Sequence, residues 1–286
     1  MSEQAPDGFD RDVKAYYDRA PEESRLSAGP SRLEEARTRE LILKHAPPPP
    51  AVVLDVGGAA GAYSFWLAER GYDVRLVDAV PRLVDLARQR NERASRPLVS
   101  CAIGDARSLP DPDASVDVVL LLGPLYHLVD YDERLTALGE AMRVLRTGGV
   151  LIAAAISRWG SALDGLAREL FLDADFARIV ERDLVDGQHR NPTDRIDYFT
   201  TAYFHEPREL RNEVAAAGFE VEGPYGVEGP AWILPDIAER WNDDTRREIV
   251  LHVARTLESE PSLIGCSAHM LIVGRKARSV GRDESA

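Results

Sequence analysis

The residues best suited to acid–base chemistry stand at the end of an unbroken apolar run, LLLGPLYHL at 120–128. The run is typical of a buried strand, and it stops at a Gly-Pro pair that can turn the chain. The hydroxyl of Tyr126 and the imidazole of His127 follow at once. A neutral imidazole, with a pKa of about 6.5, can remove a proton from a hydroxyl group. We therefore predict that His127 is a general base beside Tyr126 in a catalytic site, the alternative being a histidine that packs or caps a helix.

A second candidate base is His205, in the segment YFTTAYFHEPREL. A zinc motif is excluded there, because H-E-x-x-H requires a second histidine where Glu209 stands. The aromatic residues before His205 can form one wall of a pocket, or else the core of a small cap; they are Tyr198, Phe199, Tyr203 and Phe204.

The remaining histidines are predicted to have no chemical role. The pattern SAHMLIV favours an ordinary strand residue at His269. Three others are predicted to face solvent: His45, His189 and His252. No histidine, cysteine or acidic cluster has the spacing of a metal site, so no metal is predicted.

A glycine-rich turn, LDVGGAAG at 54–61, joins an apolar run to an amphipathic segment. Glycines let backbone N–H groups approach a ligand closely, and a helix N-terminus adds partial positive charge. The turn fits a dinucleotide fingerprint poorly, because G-x-G-x-x-G aligned on Gly57 falls on Ala59 and Ala62.

Carboxylates stand at the ends of three successive apolar runs. Asp55 lies in the first, Asp78 ends the second, and Asp105 follows the third in the triplet GDA. A carboxylate at the second position can accept both hydroxyls of a ribose, and one at the third can meet an adenine amino group. Each could instead be a helix cap or a turn residue. Together they predict a crevice for an adenosine-like ligand.

The elements that must position these residues alternate along the chain. The strands are apolar on both faces, which indicates a parallel sheet covered on both sides. The predicted strands span 51–56, 73–78, 97–103, 115–122 and 148–156. The predicted helices span 61–71, 81–94 and 131–145.

Polar and irregular segments flank this alternating region. Two helices are predicted at 9–20 and 31–46, with Ser31 as an N-cap, before a proline spacer. One long helix is predicted between the last two strands, within PDIAERWNDDTRREIVLHVARTLESEP. The predicted divisions are a helical lid (1–50), a ligand-binding core (51–156), an irregular insertion (157–204), C-terminal helices with a closing strand pair (205–276) and a polar tail (277–286).

Composition limits the classes of partner. The 286 residues carry a formal charge of −13, and 44% are hydrophobic. This acidic balance disfavours nucleic acids and anionic membranes, because both need clustered Lys and Arg. Cys101 and Cys266 are too few for a disulfide framework, and neither a membrane span nor a signal peptide is evident. We expect a cytoplasmic protein that could form a homodimer.

Four segments together resemble the class I S-adenosylmethionine-dependent methyltransferases: VLDVGGAAG, VRLVDA, IGDARSLP and SVDVVLLL…EAMRVLRTGGVLI. The resemblance covers residues 50–156 and, more weakly, the closing strand pair. In the family pattern Asp/Glu-x-Gly-x-Gly-x-Gly, Asp55, Gly57 and Gly61 match, whereas Ala59 replaces the middle glycine. The resemblance implies a doubly wound, Rossmann-like α/β fold with a seven-stranded, mostly parallel sheet and an antiparallel last strand.

The resemblance also implies how S-adenosylmethionine would bind. Asp78 would hold the ribose, Asp105 with Ala106 the adenine, and Gly57 with the segment after it the methionine portion. Tyr17 and Arg25 resemble lid residues that cover the cofactor, and GPLYHL would lie beside its methyl group. The full implied cofactor set is Tyr17, Arg25, Asp55, Gly57, Gly58, Gly61, Asp78, Ala79, Asp105, Ala106, Leu122 and Gly123.

The sequence therefore predicts a methyltransferase that uses S-adenosylmethionine on a small molecule, at oxygen or nitrogen rather than carbon. A specialised bacterial metabolite is one such acceptor. Nucleic-acid amino methylation is disfavoured, because GPLY replaces the signature Asn-Pro-Pro-Tyr. Two alternatives stay open: a nicotinamide-dependent oxidoreductase, which the glycine spacing disfavours, and a protein that binds S-adenosylmethionine without catalysis.

Overall fold

The computed structural model describes residues 11–20, 25–26 and 29–278. Two helices precede the sheet, α1 (Arg11–Arg19) and α2 (Ser31–His45), which confirms the two predicted there. The N-cap of α2 is Pro30 rather than Ser31, so the predicted cap was wrong by one residue. Most of the predicted polar tail, and parts of the predicted lid, lie outside the described residues.

The sheet is mostly parallel, as predicted. Its long strands follow the order β3-β2-β1-β4-β5-β9-β8, and β9 runs antiparallel to both of its neighbours, which confirms the antiparallel last strand. The strands are β1 (Val52–Val56), β2 (Asp73–Asp78), β3 (Ser100–Ile103), β4 (Val116–Leu121), β5 (Leu145–Ser157), β6 (Gln188–His189), β7 (Ala202–His205), β8 (Glu220–Gly226) and β9 (His269–Arg275).

The described residues form nine strands rather than the predicted seven. The two additional strands, β6 and β7, are short and come from the insertion after β5. β7 pairs in parallel with the end of β5 through Phe204 and His205, and β6 pairs with β7. The insertion is thus attached to the sheet edge at the carboxyl end of β5.

Helices cover both faces of the sheet. Leu54 on β1 belongs to one core layer and Val53 to the opposite layer, because neighbouring strand residues point to opposite faces. The helices after α2 are α3 (Ala62–Ala68), α4 (Pro81–Asn91), α5 (Pro124–His127), α6 (Tyr131–Val144), α7 (Gly160–Ala167), α8 (Ala174–Asp186), α9 (Pro207–Ala216), α10 (Ile237–Asn242) and α11 (Asp244–Leu257).

Two regions differ from the predicted elements. The helix predicted between the last strands is two helices, because the side chain of Asp243 accepts a hydrogen bond from the Arg246 N–H (2.9 Å) and starts α11. The insertion, predicted to be irregular, contains α7 and α8 around a small apolar cluster that includes Phe176 and Tyr198.

Within the described residues, no helix has both the length and the apolar character needed to cross a bilayer.

Candidate active site

The glycine-rich turn after β1 is packed against the turn after β4. Gly57 has a φ of +74°, and a Cβ there would lie 2.6 Å from Cδ of Pro124. A Cβ on Gly58 would lie 2.9 Å from an oxygen of Asp55. Both positions therefore require glycine, and the chain can expose its backbone at this edge of the sheet.

Ala59 adopts a glycine-like conformation although it is not glycine. Its φ is +48°, in the left-handed region that an L-residue populates at a cost of about 1 kcal/mol. Its backbone N–H donates to Oδ2 of Asp78 over 2.8 Å, and the Val80 N–H donates to Oδ1 over 2.8 Å. The carboxylate of Asp78 thus fixes the turn, and the missing middle glycine leaves the turn conformation intact.

The other two acidic residues have different surroundings. Burial raises the pKa of Asp55 to about 6, and the nearby charge of Asp78 raises it further. The Ser64 hydroxyl, which donates to Asp55 over 2.5 Å, lowers this pKa in part. Asp105 is paired with Arg107 through both carboxylate oxygens, at 2.6 and 2.9 Å. Burial would raise the pKa of Asp105, but the Arg107 hydrogen bonds outweigh it and lower the pKa.

These residues surround a cavity of about 270 Å³ at the carboxyl ends of the central strands, here named the cofactor cavity. This is the edge where ligands bind in doubly wound sheets. Gly61 lies outside the lining; it is the N-cap of α3, with a φ of +84°. The predicted residues that line the cavity are Tyr17, Arg25, Asp55, Gly57, Gly58, Asp78, Ala79, Asp105, Ala106, Leu122, Gly123, Tyr126 and His127.

A second cavity of about 260 Å³, here named the acceptor cavity, adjoins the first. The two share Tyr17, Arg25 and Tyr126 in their walls. The acceptor cavity is lined in part by the insertion, and beside Tyr17 and Tyr126 its wall contains six aromatic residues: Tyr16, Phe176, Tyr198, Phe199, Phe204 and Trp232. Three of the four predicted wall residues are therefore present, whereas Tyr203 lies over the guanidinium of Arg134.

His127 lines the cofactor cavity from the single turn of α5. Its Nδ1 is 3.1 Å from the carbonyl oxygen of Thr201, and its Nε2 is 2.9 Å from the hydroxyl of Tyr17. A carbonyl can only accept, so Nδ1 carries the proton and Nε2 accepts from Tyr17. The ring of Tyr126 lies edge-on to His127, with centroids 4.7 Å apart. The lone pair of His127 is thus engaged by Tyr17, a residue that lines both cavities.

Known proteins resemble this chain in sequence and in fold. The profile of the methyltransferase domain family matches residues 54–153. A demethylmenaquinone methyltransferase of Deinococcus radiodurans is 34% identical over 196 residues, which cover 68% of this chain and 77% of that protein. A ubiquinone biosynthesis O-methyltransferase of Azorhizobium caulinodans is 31% identical over 175 residues, 61% of each chain. The chain belongs to the class I S-adenosylmethionine-dependent methyltransferases.

A solved structure of another methyltransferase has the same fold as this one. The S-adenosylmethionine-dependent methyltransferase of Methanosarcina mazei superimposes with a TM-score of 0.56 at 20% identity, covering 83% of this chain and 97% of that one. The cofactor of the family is S-adenosylmethionine, so a nicotinamide-dependent oxidoreductase is not supported. The cofactor cavity fits that molecule, because a backbone cradle at Gly57 and Gly58 stands beside two carboxylates at successive strand ends.

The prediction that His205 is a candidate base of the methyltransferase was wrong. Its side chain is fully buried on β7 and lines neither cavity. Its Nε2 lies 3.1 Å from Glu213, which also accepts two hydrogen bonds from Arg134. Burial lowers the pKa of His205 despite the Glu213 charge. His205 therefore joins β7 to α9 and α6, and it cannot reach an acceptor.

Two histidines were predicted to face solvent but are buried. His45 ends α2 against the ring of Tyr225, with centroids 5.1 Å apart. His189 lies in the wall of the acceptor cavity, where Nδ1 is 2.9 Å from Asp183 and Nε2 is 2.8 Å from the Tyr198 carbonyl. Both ring nitrogens of His189 are engaged, so this residue holds the wall in place. His252 is exposed on α11, as predicted.

A charged cluster in the wall of the acceptor cavity was not predicted from the sequence. His269 begins β9, as predicted for a strand residue, but its ring also lines the cavity. Nδ1 of His269 lies 2.6 Å from Glu228 and 3.9 Å from Glu34, and Arg25 forms two hydrogen bonds with Glu34 at 2.7 and 3.0 Å. Two carboxylates thus face two cations.

Proposed function

We propose that this methyltransferase transfers a methyl group to an oxygen or nitrogen atom of a small, largely planar molecule held in the acceptor cavity. The observation that carries the proposal is the junction of the two cavities. A ligand in each would meet at Tyr126, whose ring packs against His127 in the cofactor cavity, and Nε2 of His127 lies 2.9 Å from the hydroxyl of Tyr17, which lines both cavities. Holding two reactants in alignment supplies much of the acceleration in such a displacement.

The proposed binding roles follow the ends of the strands. Asp78 would accept the ribose hydroxyls, and Asp105 with Ala106 would meet the adenine. Arg107 is added to this set, because it lines the cofactor cavity and occupies the Asp105 carboxylate. S-adenosylmethionine supplies an activated methyl group when bound. Ala59 stays hydrogen-bonded to one oxygen of Asp78, so a ribose hydroxyl would share that oxygen or use the other.

His127 is proposed as the base. The Thr201 carbonyl holds the proton on Nδ1, which leaves the Nε2 lone pair to receive the proton of an acceptor hydroxyl or ammonium group. The imidazolium that forms stays hydrogen-bonded to Thr201. Tyr17 now donates to Nε2, and its hydroxyl would have to release that nitrogen for the acceptor. The rings of Tyr126 and Phe199 pack against the imidazole, with centroids 4.7 and 5.7 Å from it.

A small acceptor agrees with the size and the aromatic wall of the cavity. The two relatives described above are named for steps in quinone synthesis, and one is named as an O-methyltransferase. A cytoplasmic location belongs to the same proposal, and the two free cysteines, Cys101 and Cys266, are consistent with it.

The test separates cofactor binding from methyl transfer. Calorimetry with S-adenosylmethionine measures binding alone, and incubation with methyl-labelled S-adenosylmethionine and a panel of hydroxylated and aminated aromatic compounds measures transfer. We expect both binding and transfer of label to at least one acceptor. Binding with no transfer across the panel would favour the non-catalytic alternative. For any His127 variant, the matched control is His252→Gln, at an exposed position on α11.

A further inference from the structure

The pair formed by Glu228 and His269, whose ring lines the acceptor cavity, is not used by the proposed transfer. Oε1 of Glu228 lies 2.6 Å from Nδ1 of His269, and Oε2 accepts from the His269 backbone N–H at 3.1 Å. The Ser267 hydroxyl also donates to Oε2 over 2.6 Å, and Glu228 is only 2% exposed. The carboxylate therefore fixes both the position and the proton of the ring.

This fixed ring presents its other nitrogen to the cavity. Because Nδ1 donates to Glu228, Nε2 is the nitrogen left for a ligand, and no group among the described residues forms a hydrogen bond with it. The side chain of His269 is 25% exposed, and it stands in the cavity wall near Trp232. His269 is thus held by a buried carboxylate, with a second nitrogen available to a ligand in the cavity.

The charges around the ring decide its protonation. Burial alone would lower the pKa of His269, but the negative charges of Glu34 and Glu228 outweigh it, despite Arg25, and raise the pKa to about 9. The ring is therefore an imidazolium at neutral pH, and Nε2 carries a proton. His269 acts as a donor rather than as a second base.

The acidic residues in the described lining of the acceptor cavity are paired with arginines. Asp164 and Asp197 line the cavity, but Arg168 lies 2.8 Å from the first and 3.8 Å from the second. Arg195 also pairs with Asp197 at 3.1 Å. The Nε2–H of His269 is a donor, so the polar group that an acceptor must present to it is a hydrogen-bond acceptor.

We propose that His269 binds an anionic oxygen of the methyl acceptor, a carboxylate or a phenolate, that is distinct from the methylated atom. The acceptor is then an aromatic or otherwise planar anion with two polar groups, one beside His127 and the other beside His269. This inference rests on the proposed function, because it takes the second cavity as the acceptor site. It names the substrate class that the cavity selects.

The test uses simple probes on the full-length protein loaded with S-adenosylhomocysteine. Calorimetry compares benzoate, 4-nitrophenolate and the neutral isostere benzamide. We expect at least one anion to bind about tenfold or more tighter than benzamide, since a hydrogen bond between charged groups is worth about that factor. Preference for benzoate would identify a carboxylate, and preference for 4-nitrophenolate a phenolate. Equal binding of all three probes would overturn the proposal.

A variant locates the contact. His269→Gln should lower the affinity for the preferred anion by about 10- to 100-fold and leave benzamide unchanged, whereas His252→Gln should change neither. Unchanged anion binding in a folded His269→Gln protein would overturn the proposal.

The wild-type protein gives a second measurement that needs no substitution. Anion affinity should weaken as the pH rises through about 9, where the imidazolium is lost. An affinity that stays constant through that range would contradict the inference. Failure of S-adenosylhomocysteine to bind would instead count against the proposed function, and that binding is measured first.

Discussion

The hydroxyl of Tyr17 on α1 lies 2.9 Å from Nε2 of His127 on α5. These residues are far apart in sequence, and their rings meet edge-on with centroids 5.4 Å apart. The contact places the N-terminal helix over the junction of the two cavities. It also means that the nitrogen proposed to take the acceptor's proton has a protein donor in this state, so the helix and the proposed base are coupled.

Replacing His127 tests the base directly. His127→Ala should lower the chemical rate by about 10²–10⁴ and leave cofactor affinity nearly unchanged, because the ring takes a proton only during transfer. The residual rate should rise with pH as the acceptor ionises unaided. Single-turnover kinetics with labelled cofactor measure the rate. A loss confined to the Michaelis constant, with activity restored in His127→Asn, would show that His127 only positions the acceptor.

Tyr17→Phe distinguishes a competing hydroxyl from a proton relay. Phenylalanine keeps the edge-on ring contact, so the packing of α1 should survive while the donor to Nε2 is lost. If the hydroxyl merely competes with the acceptor, turnover should fall by less than about tenfold. A loss as large as that of His127→Ala would instead make Tyr17 part of the proton path. Tyr131→Phe, at an exposed position on α6 outside both cavities, is the matched control.

Asp78→Ala should weaken S-adenosylmethionine binding by about 2–4 kcal/mol, since it removes the buried carboxylate that we propose accepts the ribose hydroxyls. The same carboxylate holds the Ala59 N–H, so part of the loss would come from a looser turn. Calorimetry measures the affinity, and Asp85→Ala, at an exposed position on α4, is the control. A folded Asp78→Ala protein with wild-type affinity would remove the ribose assignment.

The cofactor crevice was predictable because its signals are local. A parallel sheet brings the ends of successive strands to one edge, so Asp78, Asp105 and the turn at Gly57 could be grouped from sequence alone. His127 was found in the same way, from the end of an apolar run. All of these except the pairing of Asp105 with Arg107 follow from the order of strands along the chain.

The acceptor cavity was not predictable in the same way, because its walls come from distant segments. His269 is a polar residue in an apolar strand pattern, and only the fold brings Glu34 and Glu228 beside it. His205 looked like a site residue because it follows aromatic positions, yet Glu213 and Arg134 enclose it. Patterns along one segment do not report which side chains from other segments neutralise a charge.

Ala59→Gly tests whether the turn stores strain. Glycine adopts a φ of +48° without steric cost, so the folded state should gain about 1 kcal/mol, less the greater entropy of an unfolded glycine. We expect no net destabilisation in urea unfolding. Ala177→Gly within α8, where φ is helical, should instead lose about 1 kcal/mol. Comparable losses at both positions would show that Ala59 is not strained.

The His269 cluster should make stability depend on pH above neutrality. The folded pKa of about 9 lies above the ordinary value of 6.5, because Glu34 and Glu228 together outweigh burial and Arg25. The folded state therefore holds a proton that the unfolded state releases. Its contribution is complete below about pH 6.5 and is lost as the pH rises through about 9. Urea unfolding should show wild type losing more stability than His269→Gln between these pH values, with His252→Gln behaving as wild type. Parallel pH profiles for all three proteins would mean that the two carboxylates do not hold that proton.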